Sequence, residues 1–225
     1  MVKDIAQASK KIYDPLHGFI RFDEFEKELI DSIAFQRLHY IHQLGIAYYV
    51  YPGATHTRFE HSIGVMELAT KIYDKLCETA RPDLFHFIPR KGSAEYIYWK
   101  KVLRLAALCH DLGHLPFSHV AEDSILPQHG HENWSYKIIE SSLEPLFKKL
   151  DNEPKYARDI PIKENILKLA LGERKLVKID SSYQFSEWER ILSEIISGDF
   201  FGADRMDYLL RDSRSTGIVY GLFDY

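Results

Sequence analysis

An apolar run of helical character, Val102 to Cys109, stops on a histidine–aspartate pair, His110-Asp111, and passes at once into Leu112-Gly113-His114-Leu115-Pro116. A buried helix that ends on two polar, ligand-type side chains limits what can surround it. Adjacent side chains on a helix point about 100° apart, so both reach one point only where the helix ends or kinks. Gly113 and Pro116 supply such a break. An imidazole beside a carboxylate suits a borderline divalent ion, Fe, Mn, Zn or Ni, better than Mg or Ca. Two more side chains of the same type, His61 and Asp204, stand where core packing does not explain them.

Composition narrows the setting. The chain has 225 residues, enough for one well-buried domain. A net charge of −4 argues against a large nucleic-acid-binding face. Of its 11 histidines, His110, His114, His119, His129 and His131 cluster around the histidine–aspartate pair. Cys77 and Cys109 cannot make a disulfide framework, and Cys109 sits in the apolar run as a small hydrophobe. Met1 to Lys11 mixes charges and has no apolar core of the kind a signal peptide needs. No run reaches the length of a membrane span, so a cytoplasmic protein is expected.

The coarse pattern is mostly α-helical with a short N-terminal β-hairpin. Lys11 to Ile20 reads as two extended pieces around the turn at Asp14-Pro15-Leu16-His17-Gly18. Helical periodicity follows on Phe25, Leu29 and Ile33, then on Phe35, Leu38 and Ile41. Thr57-Arg58-Phe59-Glu60 fits a capping box, so a helix should start there and run to about Leu76. That puts Arg58 and His61 in its first turn, where free backbone N–H groups favour an anion. Further helices are expected near Pro116, near His131-Glu132, over Glu187 to Ile196, and over Ala203 to Arg214. Gly172 to Ser182 reads as a charged loop. On the last helix Asp204, Tyr208 and Asp212 share one face at i, i+4 and i+8, with Asp207 and Arg211 just beside it.

Taken in order, R-F-E-H-S-I-G-V (Arg58 to Val65), L-C-H-D-L-G-H-L-P-F-S-H (Leu108 to His119), His131-Glu132 and D-R-M-D-Y-L-L-R-D (Asp204 to Asp212) resemble the HD-domain phosphohydrolases. The likeness is greatest to the branch holding the sterile-alpha-motif-and-HD-domain deoxynucleoside triphosphate triphosphohydrolase and bacterial dGTPase-like proteins. D-P-L-H-G, F-Q-R-L-H-Y-I-H-Q-L-G and Y-P-G-A-T-H-T-R-F-E-H match that branch too, so the resemblance runs from about Lys11 to Asp224. It implies an all-α HD-domain bundle over 1–225, and metal ligation by His61, His110, Asp111 and Asp204. A divalent transition metal so held, Fe, Mn, Ni or Zn, acidifies bound water, with Mg accompanying the substrate phosphates. The implied reaction releases a deoxynucleoside and inorganic triphosphate. His114, His119 and His131 would act as acid, base or charge-stabilising groups. Glu122 stands where the branch usually has Asp, and its longer arm leaves the relay geometry open. Arg58 and Arg205 would hold phosphate oxygens through their bidentate forks. Tyr208 and Asp212 would line the deoxyribose, with Gln43 and Leu44 on the 3′-hydroxyl side.

The match is weaker at two places. Asp31 and Gln36 correspond to positions of the branch's nucleotide effector site, but His39 stands for an arginine there and Tyr13 for a polar contact, so effector activation is not expected. Members of the branch also usually continue well past Tyr225, so the chain is expected to lack their C-terminal segments. The apolar stretch from Ile218 to Phe223 would then favour a homo-oligomer. Two other functions stay open: an HD-type hydrolase of nucleoside monophosphates or other phosphoesters, and an inactive nucleotide-binding regulatory module.

Overall fold

Hydrogen bonds from the N–H groups of Leu16 and His17 to Asp14 Oδ1, at 2.8 and 2.9 Å, turn the chain back on itself. The turn joins β1 (Lys10–Asp14) to β2 (Gly18–Phe22), antiparallel in the register Lys10↔Phe22 to Asp14↔Gly18. Gly18 sits at φ +73°, a backbone state open to glycine at little cost. Alternation puts Ile20 and Phe22 into the core and leaves the cross-strand pair Tyr13–Phe19 outside, edge to face at 5.1 Å. The computed structural model describes residues 10–118, 122, 130–199 and 201–220.

Everything after the hairpin is helical or irregular among the described residues. The expected periodic stretch from Phe25 to Ile41 is divided. Asp23 and Glu26 cap α1 (Glu24–Ile30) with a capping box, and Ser32 restarts the chain as α2 (Ile33–Gln36), which tightens into a 3₁₀ turn over Arg37–Tyr40. The restart rotates the apolar stripe, so Ile33 is 90% exposed while Leu29, Phe35 and Leu38 are fully buried.

The capping box of Thr57 and Glu60 starts α3 (Arg58–Thr79) at the expected place. Ser93 caps α4 (Ala94–Cys109), in which every residue from Lys101 to Cys109 is buried. The reason is position: α4 packs against α3 and α7 (Ile162–Leu171), while α3 also packs against α10 (Ala203–Thr216). Burying each Leu, Ile or Val of this central pair is worth about 1.5–3 kcal/mol. Cys109 is wholly buried, which pushes its thiol well above the usual range and leaves it a small hydrophobe.

Further helices are α5 (Gly130–Lys137), running into a π turn at Ile138–Ser142, α6 (Glu144–Asp151), α8 (Glu173–Ile179) and α9 (Glu187–Ser197). α8 replaces the charged loop expected over Gly172 to Ser182. Gly172, at φ +71°, breaks α7 from α8, and Leu176 anchors the short helix in the core. Arg190 of α9 clasps Glu173 at 2.6 and 2.8 Å. Near Pro116, where a helix start was expected, the chain first makes a turn, with Phe117 and Ser118 at φ +71° and +49°, and Glu122, whose N–H donates to the Ser118 carbonyl at 3.3 Å, is helical. No helix of the described residues is long and apolar enough to cross a membrane.

Candidate functional site

The end of α4 is held by two side chains. Ser135 on α5 accepts the N–H of Gly113 at 2.8 Å and donates to the carbonyl of His110 at 3.3 Å. Arg37 donates to the carbonyl of Leu112 at 2.7 Å and to that of His114. A Cβ on Gly113 would lie 1.9 Å from the carbonyl oxygen of His131, so α5 can approach only because this residue is glycine. The resulting turn aims His110 and Asp111 at the first turn of α3 and the start of α10.

There His61 Nε2, His110 Nε2 and an Asp204 carboxylate oxygen lie within 4.8 Å of one another. Asp204 Oδ1 is 3.0 Å from His61 Nε2 and 3.8 Å from His110 Nε2, and the Asp111 oxygens stand 3.7 and 3.5 Å from the same two nitrogens. Both Nε2 atoms are buried and lack a hydrogen-bond partner. Their Nδ1 atoms are committed elsewhere, His61 to Asp207 at 2.8 Å and His110 to the carbonyl of Ala107 at 2.7 Å. Two imidazole nitrogens and two carboxylates around one point fit a divalent transition ion, and the Nδ1 bonds are the outer-shell partners such ligands need.

The charge balance agrees. Burial opposes a proton on His61, yet Asp204 and Asp207 outweigh it and push its pKa up to about 10. His110 is also raised, against its burial, by Asp111 and Asp204. Burial works against the ionised carboxylates as well. Arg58 nevertheless holds Asp111 well below the usual range, and His110 and His61 do the same for Asp204. The centre is a negative pocket that favours a cation.

A second group adjoins the first through Asp111, whose Oδ1 is 3.3 Å from His114 Nε2. Glu122 spans His114 Nδ1 at 2.6 Å and His131 Nδ1 at 3.0 Å, and the two rings stack 3.7 Å apart. The longer arm of glutamate thus bridges two imidazoles. Although burial disfavours its charge, the bonds from His114 and His131 hold the Glu122 carboxyl well below the usual range. Burial lowers His114. Asp111, His114 and His131 also satisfy the distance condition for a cation group, so the Asp111 carboxylate faces both clusters. His119 lies outside the described residues.

The other expected residues fall into three settings. Arg58 is buried, with its guanidinium on Asp111 and, at 3.2 and 3.0 Å, on Ser118 Oγ. Arg205 is exposed and donates to the carbonyl of Asp199, on the outer side of the turn into α10. Asp212 pairs with His56 at 2.7 Å, and the Gln43 N–H donates to the His56 carbonyl at 3.1 Å. The bridge His42↔Thr57 pins these segments together, so Gln43 and Asp212 meet at His56, with Leu44 next along the chain. Gln43 Oε1 is buried without a hydrogen-bond partner. Tyr208, half-buried, lies one helical turn from both Asp204 and Asp212. At the positions resembling an effector site, Gln36 donates to the Ile30 carbonyl at 2.8 Å and His39 stacks on Phe59 at 3.6 Å.

Sequence reasoning missed Asp207, Arg211, His17, Arg37, Ser135 and His56 as parts of this site. The i, i+4 spacing of Asp207 and Arg211 was visible, but nothing local says that the pair is buried.

Residues 58–194 match the model of the HD domain family. An uncharacterized protein of Methanocaldococcus jannaschii is 39% identical over 96% of this chain and 36% of its own length. A deoxynucleoside triphosphate triphosphohydrolase of Homo sapiens is 36% identical over 96% of this chain and 34% of its own. The chain therefore spans about a third of the length of these curated relatives. The crystal structure of a hypothetical protein from Aquifex aeolicus is similar at a TM-score of 0.71 and 38% identity, over 96% of this chain and 49% of that one.

Proposed function

The chain belongs to the HD domain family, and from that premise we propose that it is a metal-dependent phosphohydrolase that cleaves deoxynucleoside triphosphates to deoxynucleoside and inorganic triphosphate. One observation carries the hydrolase reading: two buried imidazole Nε2 atoms without hydrogen-bond partners face Asp111 and Asp204, next to the His114–Glu122–His131 group. A divalent ion held by His61, His110, Asp111 and Asp204 would supply Lewis-acid charge for phosphate oxygens and acidify water. Which ion serves is set by availability as much as by the donor set.

The chain's own groups do the rest. Glu122, bonded to Nδ1 of both rings, fixes the orientation of His114 and His131. That equips the pair to move a proton at the scissile phosphate, as His119 would, a contribution of roughly 10²–10⁴-fold. Arg58 brings positive charge to the wall of the centre, and Arg205 can turn from the Asp199 carbonyl to a phosphate. Asp212, oriented by His56, can accept a sugar hydroxyl, and Gln43 Oε1 has acceptor capacity to spare. A tyrosine wall at Tyr208 would exclude a ribose 2′-hydroxyl by clash and by leaving it without a partner. A cytoplasmic homo-oligomer is the setting proposed with this activity.

Incubating the protein with Mn²⁺ and each deoxynucleoside or ribonucleoside triphosphate, and resolving products by phosphorus NMR, tests the reading. Triphosphate release is expected. Orthophosphate release would point to another phosphoester, and saturable binding without turnover to a regulatory module.

A further inference from the structure

The carboxylate of Asp207 is wholly buried and surrounded by donors. Its Oδ2 accepts from His61 Nδ1 and Arg211 Nε, both at 2.8 Å, and its Oδ1 bonds His17 Nε2 at 2.7 Å and Arg211 Nη2 at 2.9 Å. Four bonds use all the acceptor sites an ionised carboxylate has, so the group cannot rotate without losing one. Arg211 is in turn fixed by Asp14 Oδ2 at 2.8 Å, and Asp14 is the residue that shapes the hairpin turn. Space for the assembly comes from α3: a Cβ on Gly64 would lie 2.0 Å from Asp207 Oδ1 and 2.5 Å from Arg211 Nη2.

This arrangement has a consequence for His61. A carboxylate that is ionised can only accept, so the bond to Asp207 keeps a proton on Nδ1 and makes Nε2, which faces Asp204 and Asp111, the nitrogen available to a cation. We propose that Asp207, clamped by Arg211 and His17, is the positioning residue that fixes the ring and tautomer of His61 and so sets the centre's affinity for a divalent cation. The proposal rests on the metal-centre reading above. The hairpin turn then belongs to the support of the site, because His17 and Asp14 hold the clamp from its far side. A purely structural ion cluster would change stability and leave cation affinity alone; an orienting one changes affinity, by roughly 10–100-fold for such outer-shell partners.

The test measures Co²⁺ affinity by competition with a chromophoric chelator, together with the visible absorption band of bound Co²⁺. It compares the wild-type chain with Asp207→Asn, His17→Gln and Glu26→Gln, the last altering a separate buried ion network. Asp207→Asn should weaken Co²⁺ by about 10–100-fold and shift the band, with a smaller loss of about threefold or more for His17→Gln. Glu26→Gln should lower the melting temperature with the affinity unchanged. Wild-type affinity and band in both Asp207→Asn and His17→Gln would overturn the proposal, as would an equal loss in Glu26→Gln. If Asp207→Asn does not fold, His17→Gln decides alone, and a wild-type affinity there overturns it. A wild-type chain that binds no Co²⁺ defeats the metal-centre reading itself, and the proposal with it.

Discussion

Acid should weaken this protein through Glu26 by an amount the structure fixes. Glu26 is 2% exposed and bonds Lys101 Nζ at 2.7 Å and Arg104 at 2.7 and 2.9 Å. Burial alone would raise its pKa, but Arg104 and Lys101 outweigh it and bring the group from 4.5 down to about 2. As pH falls, the unfolded chain takes up its proton first. The stabilisation is therefore complete above about pH 4.5 and is lost as pH drops through 2. At 1.36 kcal/mol per unit, the full contribution is about 3 kcal/mol, of which about 2 kcal/mol disappears between pH 6 and pH 3. Other buried carboxylates titrate too, so the observable is a difference: urea unfolding of the wild type and of Glu26→Gln at pH 6 and pH 3. The stability gap between them should narrow by about 2 kcal/mol at pH 3. A gap that stays constant, or widens in acid, would show that Lys101 and Arg104 do not hold Glu26 ionised.

Asp111→Ala should abolish stoichiometric metal in protein prepared without chelator, read by elemental analysis, while circular dichroism stays helical; full retention of metal would remove Asp111 from the centre. Gly113→Ala places a methyl group 1.9 Å from the His131 carbonyl oxygen. It should cost about 3 kcal/mol, roughly 6–12 °C in a thermal melt of a chain this size. An unchanged melt would mean that α5 moves away easily. Tyr208→Ala should raise ribonucleotide turnover relative to deoxyribonucleotide turnover with metal content unchanged, and an unaltered ratio would make Tyr208 a packing residue.

Local rules made much of the fold legible. The capping box at Thr57 and Glu60, the hairpin turn at Asp14–Gly18 and the polar end of α4 each rest on a few neighbouring residues, and the structure has them all. Elements settled by tertiary contacts were not legible. α8 carries so many charges that it reads as loop, but Leu176 is buried and Ile179 packs against the core, which anchors it as a helix. Ile33 continues the apolar period of α1, yet the restart at Ser32 turns it to solvent. In the site, His110 and Asp111 stood out because they close an apolar run, while the resemblance to the HD-domain phosphohydrolases joined His61 and Asp204 to them. Asp207 and Arg211 did not, since an i, i+4 acid–base pair usually means a solvated helix face. Their burial depends on a missing side chain at Gly64 and on partners at Asp14 and His17 that no window of the sequence includes.

The bonds from His17 to Asp207 and from Asp14 to Arg211 join residues 190 and 197 positions apart. On a ribosome, the hairpin is made well before α10, and its turn must wait for that helix before it finds its partners. Contacts of such long sequence separation form late, after shorter loops have closed. His61 therefore has no anchored ring, and Asp204 no place opposite it, until α10 has emerged and docked. A chain that has not yet released α10 should be unable to take up a cation at this centre, so loading follows the docking of that helix.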